Sequence, residues 1–592
     1  MSTDLNNNSA VSIKNYEESL QNIYKHFEYI YNSEEALRCI DRFKELLSQY
    51  SLKLYKTRKN RKNWSEEDAL LITYGDSIVK KDGEKHKLAV LKKFLEEYLQ
   101  DTISSVHILP FFPYSSDSGF SVIDYKKVRA DLGTWQDIEE LASDYNLMAD
   151  LVINHISSES SWFQNFKKRK EPGKDYFLEV DPQSDLSEVT RPRSSPLLTE
   201  VETEDGKRYV WTTFSPDQID LDFSNPEVLI ELIDIFLFYL SKGINIIRLD
   251  AIAYLWKKIG SNSIHQPETH EIVKLFRDIV DYVNPSATLI TETNVPFNEN
   301  ISYFGNGDEA HMVYQFSLPP LLLHAILTEN ASYLRNWALN LPKPPDNCTY
   351  LNFTSSHDGI GVRPLEGLIP DDEFEQLIEG AKERGGYVSY KTNSNGTKSP
   401  YELNITYFDA FREPDISDID LQYSRYMCSQ IVMMSLQGLP AFYIHNLTGT
   451  RNYHQGVIES QQKRDINRKQ WAYDQLVENL ENESNTTHKV FYKLKELIDI
   501  RKDHPAFSPL AGQEVLDNND NLFVFLRTAE DGSEKVLVAS NLTNERKKLG
   551  RDAVKSLVDL RTDAKELISG RMIDKNEEII LDPFQTMWIK AQ

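Results

Sequence analysis

From about residue 69 the chain repeats one pattern, a short apolar run followed by a longer stretch with helical spacing. The apolar runs are ALLITYGD, SVHILPF, MADLVINH, INIIRLDA, TLITET, HMVYQF, TYLNFTSSHD and LPAFYI. Between them lie amphipathic stretches such as KLAVLKKFLEEYL, WQDIEELASDYN and THEIVKLFRDIVDYV. Short, β-branched, nearly all-apolar runs are what strands buried on both faces require, and alternation with helices makes the sheet parallel. Eight such units predict a closed (β/α)8 TIM barrel of the α/β class rather than an open doubly wound sheet.

Residues 1–65 read as a polar tail followed by amphipathic helices (YEESLQNIYKHFEYIY, ALRCIDRFKELLSQY), an N-terminal helical extension. The barrel then occupies 66–510. Two insertions interrupt it, at about 157–222 after the third strand and about 360–420 after the seventh, and loops of that length inside a compact domain serve as lids or binding loops. Beyond 510 the pieces NLFVFLRT, KVLVASNL, EEIILDP and QTMWIKA predict a C-terminal antiparallel β domain over 511–592.

The apolar strands end in polar residues: Asp150, Asn154 and His155 at the third, Arg248 and Asp250 at the fourth, Glu292 at the fifth, His357 and Asp358 at the seventh. A parallel barrel collects all these ends on one face, so Asp250, Glu292 and Asp358 are expected in one pocket. Any one alone has a bland reading as a helix cap or ion pair. Three together, with two histidines, an arginine and an asparagine, point to chemistry on a sugar ring. Retaining glycosyl transfer needs one carboxylate to attack the anomeric carbon and a second to protonate the departing oxygen. Strand residues two apart share a face, so Arg248 is expected beside Asp250, holding it ionised.

Charge removes other classes. Asp and Glu number 91 against 66 Lys and Arg, a net charge of -25, which repels nucleic acid and anionic membranes alike. The basic run KTRKNRK at 56–62 is expected to be a solvated loop. Three scattered cysteines (Cys39, Cys348, Cys428) make neither a disulfide framework nor a zinc site. A polar start and apolar stretches far short of a bilayer span predict a cytoplasmic chain.

Four ordered segments, DLVINH (150–155), IRLDAIAY (247–254), the Glu of ITETN (290–294) and SSHDGIG (355–361), resemble the conserved regions of the α-amylase superfamily, glycoside hydrolase family 13. HILPFFPYSSDSGFSVIDY, RPRSSP, VWTTFSPDQIDLDF, SPYELNITYFDA and RDINRKQW are similar to its sucrose phosphorylase branch. WTTFSPDQIDL and ETNVPFNENISYFGNGDEAHMVYQFSLPP resemble the members that cleave glucosylglycerate. The resemblance implies Asp250 as nucleophile, Glu292 as general acid/base and Asp358 as transition-state stabiliser. It also implies a glucosyl subsite completed by Asp117, Phe120, His155, Arg248, His357 and Arg464, with Phe214 adding apolar surface. The acceptor side would draw on Arg193, Gln218, Tyr254 and Tyr401, with Arg193 as phosphate ligand. The implied reaction is phosphorolysis of 2-O-α-glucosylglycerate to α-glucose 1-phosphate and glycerate. Sucrose, sucrose 6′-phosphate, simple α-glucoside hydrolysis and a non-catalytic barrel stay open as alternatives. Glu402 stands where related sucrose phosphorylases carry Gln, which argues against sucrose. Asn154 matches a calcium ligand of metal-binding amylases, but the branch works without metal; neither metal nor cofactor is expected, only inorganic phosphate as co-substrate. Partners are expected to be small molecules, with oligomeric state open and a homodimer among the options.

Overall fold

The computed structural model describes residues 4–57, 64–80, 86–393, 397–414, 418–516, 521–550 and 563–591; most of the basic run at 56–62 lies outside them. Eight parallel strands close a barrel in strict sequential order: β1 Leu70–Thr73, β2 Ser105–Ile108, β3 Asn146–Val152, β4 Ile244–Asp250, β5 Thr288–Thr291, β6 Met312–Tyr314, β7 Thr349–Asn352 and β8 Leu439–Tyr443. The apolar runs of the sequence are these strands. All seven residues of β4 are buried, the charged Arg248 and Asp250 included. Register sets Arg248 opposite Asp150 of β3 and Ile290 of β5, so the charged positions of neighbouring strands meet at one level.

Local signals place the elements. The helix Pro226–Ser241 begins with the side chain of Asn225 accepting the Glu227 amide hydrogen and with proline in the first turn, where no N–H is required. It stops at Gly243, whose φ of 85° no branched residue adopts cheaply, and the chain turns directly into β4.

The N-terminal residues form a helical hairpin, α1 (Asp4–Ile30) and α2 (Ser33–Thr57). The first helix takes in the polar stretch that reads as a tail, because lengthening an existing helix adds one hydrogen bond per residue without a new nucleus. The buried stripe of α2, Ala36, Cys39, Ile40, Phe43, Leu46, Tyr50 and Leu54, has helical spacing and packs on Pro226–Ser241, while α1 packs on Pro267–Val283. Polar clasps pin it: His26 bridges Glu271 (2.7 Å) and Asp278 (3.1 Å), and Tyr50 Oη donates to Asp234 (2.7 Å).

At the other end, a six-stranded antiparallel sheet includes Leu522–Thr528, Lys535–Asn541 and Thr586–Ala591. Its seam with the barrel holds two fully buried arginines. Arg501 donates to the carbonyls of Met434, Glu66, Asp68 and Phe507, and Arg527 to those of Ser435 and Ser508, so backbone oxygens disperse both charges. No helix among the described residues is long and apolar enough to cross a membrane.

Candidate active site

Asp250 is the last residue of β4 and Glu292 follows β5 directly. Ala251 then takes a left-handed φ of 51°, strained for a residue with a Cβ. The turn aims the Ala251 N–H at Glu292 Oε2, 3.1 Å away. One guanidinium serves both acids: Arg248 lies 2.7 Å from Asp250 Oδ1 and 3.8 Å from Glu292 Oε2, and also pairs with Asp150. His107 in turn holds Asp150 at 2.7 Å. Burial strongly opposes charge on Asp150, yet His107 and Arg248 overcome it and leave its pKa at about 2.

The expectation that Arg248 simply holds Asp250 ionised needs adjusting. Burial is the largest influence on Asp250 and, with Asp150 and Asp358 nearby, carries it up to about 6 against the pull of Arg248. Burial likewise lifts Glu292 to about 7, with Arg248 opposing and the negative charges of Asp250 and Asp358 adding to the rise. At neutral pH Asp250 stays predominantly ionised while Glu292 keeps a substantial protonated fraction.

Asp358 differs. Burial disfavours its charge, but Arg464 at 2.6 Å, with His357 and Arg468, holds it far below the usual carboxylate range. His357 stacks on Phe120 with ring centroids 4.8 Å apart and planes 8° from parallel. Burial lowers His357 to about 3, so it is a neutral imidazole, and its Nδ1 makes no hydrogen bond among the described residues.

Asp117 sits in a tight left-handed stretch, with φ of 53° at Asp117 and 50° at Ser118, ending in Gly119, where a Cβ would stand 2.9 Å from the Pro110 carbonyl oxygen. The loop keeps this shape because Asp217 gathers its serines: Ser115 (2.5 Å), Ser116 and Ser121 (2.8 Å) donate to Oδ2, and Ser158 (2.6 Å) to Oδ1. The next residue, Gln218, donates to Asp117 (3.2 Å) and to the Phe120 carbonyl (3.1 Å). His155 also spends its Nε2 on that carbonyl, at 2.8 Å, rather than pointing it freely into the cavity. Phe214 packs against His155 and, edge-on, against Tyr254. Across the cavity the Arg193 guanidinium lies 5.4 Å from the Tyr401 ring centroid.

A single cavity is lined by Asp250, Glu292, Asp358, Asp117, Phe120, His155, Arg193, Phe214, Gln218, Arg248, Tyr254, His357, Tyr401 and Arg464. Every residue proposed from the sequence therefore reaches one space. Thr293 and Asn294, also in its wall, were not anticipated, and neither were Asp150, His107, Asp217 and Arg468. Asp150 was visible as a strand-end acid; His107 and Asp217 carried no spacing signal. Asn154 faces no vacancy for a cation: the buried Lys257 ammonium reaches Asn154 Oδ1 (2.7 Å) and Asp220 (2.9 Å), a fixed charge that does not fit a calcium ion beside it. Among the described residues no group of three or more His, Cys, Asp or Glu could hold a metal ion.

Paired carboxylates under one arginine, a third ion-paired acid and an aromatic platform suit a glycosyl group. Comparison with known proteins agrees. Residues 90–353 match the family described as alpha amylase, catalytic domain. A glucosylglycerate phosphorylase of Spirochaeta thermophila is 48% identical, covering 81% of each chain, and one of Escherichia coli is 43% identical over 90% of this chain and 94% of that protein. The crystal structure of a sucrose 6F-phosphate phosphorylase from Thermoanaerobacter thermosaccharolyticum superposes with a TM-score of 0.70 at 24% identity, covering 87% of this chain and 98% of that one, a likeness of fold. The chain belongs to the α-amylase family, glycoside hydrolase family 13, in the group that holds the glucosylglycerate phosphorylases.

Proposed function

We propose that this protein is a retaining glycoside phosphorylase that cleaves 2-O-α-glucosylglycerate with inorganic phosphate, releasing α-glucose 1-phosphate and glycerate. The observation that carries it is the Arg248 guanidinium reaching both Asp250 and Glu292 in one cavity, in a chain 43–48% identical to glucosylglycerate phosphorylases over most of its length.

Asp250 attacks the anomeric carbon as Glu292 passes its proton to the glycosidic oxygen; the C–O bond breaks, glycerate leaves, and a β-glucosyl ester forms on Asp250. Esterification removes the Asp250 charge, one of the influences that raise Glu292, so Glu292 now rests as the carboxylate and is available as a base. Phosphate then attacks from the face glycerate left, Glu292 takes up its proton, and Asp250 departs as carboxylate. Two inversions retain the α configuration. Asp358, kept anionic by Arg464, binds the ring hydroxyls and favours the positive charge of the transition state. Phe120 and Phe214 present apolar faces to the ring, His155, His357 and Asp117 enclose it, and Gln218, Tyr254 and Tyr401 serve the acceptor side. Arg193 supplies the positive charge that a phosphate, or the glycerate carboxylate before it, needs beside two acids. Inorganic phosphate is the co-substrate and the reading needs no other cofactor.

The test is glucose 1-phosphate formation from glucosylglycerate, sucrose and sucrose 6′-phosphate side by side, with and without phosphate. Preference for glucosylglycerate supports the proposal; preference for either sucrose, or phosphate-independent glucose release, overturns it.

A further inference from the structure

Glu402 is a buried acid for which neither step above has a use. It lies on the strand Lys398–Asn404 of the second insertion, opposite Gly361 in an antiparallel pair. Only 2% of it is exposed. Its Oε1 accepts the Gly359 N–H and the Nε of Arg464 (3.0 Å), and its Oε2 accepts Arg464 Nη2 (3.1 Å). A Cβ on Gly359 would meet Glu402 Cγ at 2.5 Å, so the backbone beside Asp358 closes directly on this side chain.

The bidentate contact consumes the Nε/Nη2 edge of Arg464. That leaves Nη1 for Asp358, which it meets at Oδ1, 2.6 Å away, while Asp358 Oδ2 carries no ion pair among the described residues. A guanidinium free to choose would take a carboxylate with two parallel N–H bonds. We propose that Glu402 is a positioning residue: by occupying one edge of Arg464 it restricts that arginine to a single-oxygen grip on Asp358 and keeps the second oxygen available to the glucosyl ring. It also offsets part of the Arg464 charge, which would otherwise favour the ionised form of the neighbouring acids. The second insertion, through Tyr401 and Glu402, is thereby fastened to the glucosyl subsite by a charge. This inference rests on the proposed roles of Asp250 and Asp358.

The test uses the full-length enzyme and α-glucosyl fluoride, whose departure needs no general acid and which therefore reports glucosyl transfer to Asp250. Glu402→Gln keeps the volume and an acceptor for Gly359 but removes the charge. Its kcat/KM is expected to fall about 30-fold, with the acid limb of the pH profile, which reports Asp250, moved to lower pH as Arg464 acts unshared on the acids. Arg464→Lys, which cannot form the fork, should lose activity similarly, and adding Glu402→Gln to it should cost less than about 3-fold more. Wild-type kinetics and an unmoved profile in Glu402→Gln, or fully additive losses in the double variant, overturn the proposal. If Glu402→Gln does not fold, Arg464→Lys decides by its pH profile: a moved acid limb supports the proposal and an unmoved one overturns it. Wild-type enzyme inert toward α-glucosyl fluoride would overturn the catalytic reading and this inference together.

Discussion

The two insertions reach the same cavity but are fastened to it differently. The first, which carries Phe214 and Gln218, is tied by Asp217, a partly exposed carboxylate receiving hydroxyl hydrogens from Ser115, Ser116, Ser121 and Ser158. The second, which carries Tyr401, is tied by the largely buried ion pair of Glu402 and Arg464, one link from Asp358. Neutral donors around a single acid fix shape without adding charge, whereas a buried ion pair fixes shape and sets the potential felt by every neighbouring acid. The first fastening is therefore expected to govern fit, and the second the energetics of the reacting groups.

The comparison presupposes one shared centre, so the largest effect belongs there. Asp250→Ala should reduce turnover by about 10⁴-fold or more with circular dichroism unchanged; near-wild-type rates would leave both insertions serving some other site. Arg193→Ala, in the first insertion, should raise the phosphate needed for half-maximal rate by about 10- to 100-fold and leave transfer from α-glucosyl fluoride to water close to wild type. Equal losses in both assays would remove Arg193 as the phosphate ligand. Asp217→Asn should raise KM for glucosyl donors by about 10-fold while kcat changes less than about 3-fold, because the amide holds the serine hydroxyls less well and the loop loosens. A fall confined to kcat would erase the distinction between the fastenings.

Charge gives a finer probe. Glycosylation needs Asp250 ionised and Glu292 protonated, and these are lifted to about 6 and about 7. A plot of kcat/KM against pH should be a narrow bell bounded by those values, since it reports the free enzyme. With α-glucosyl fluoride as donor, whose departure needs no acid, the alkaline limb should vanish even in the wild type, and with glucosylglycerate Asp217→Asn should leave both limbs in place.

The smallest effect belongs to the N-terminal hairpin, a third attachment with no link to the cavity. Burial opposes charge on His26, but Asp278 and Glu271 outweigh it and raise its pKa from 6.5 to about 9. The group is more strongly protonated in the folded state, so its stabilisation is full below about 6.5 and is lost as pH rises through about 9. His26→Ala should lower stability by about 1–3 kcal/mol at neutral pH, less at pH 10, with kcat unchanged; thermal denaturation at the two pH values measures both.

Much of the barrel and its active rim was legible beforehand because both follow from local pattern. A parallel strand buried on two faces must be apolar throughout, so charges at its end stand out, and barrel closure brings distant ends together whatever their separation in sequence. His155 shows the limit: its place at the rim was readable, but not that Phe120 supplies a carbonyl to take its proton. Asp217 likewise looked like any loop acid, since nothing in its own segment announces serines some hundred positions earlier. The shift of Asp250 above an ordinary carboxylate depended on how deeply burial sets it and on Asp150 and Asp358 in its surroundings, quantities no linear pattern carries.

The order of residues alone determined the repeating strand and helix units, the face on which their polar ends gather and the acids that gather there, because backbone periodicity and apolar burial act over a few neighbouring positions. Only the tertiary structure decided which partner each charge meets: Lys257 against Asn154 and Asp220, Glu402 against one edge of Arg464, His26 between two acids of a barrel helix. A charge taken out of water is stabilised only by partners brought to contact in the right orientation, so those pairings exist only once the chain has closed on itself.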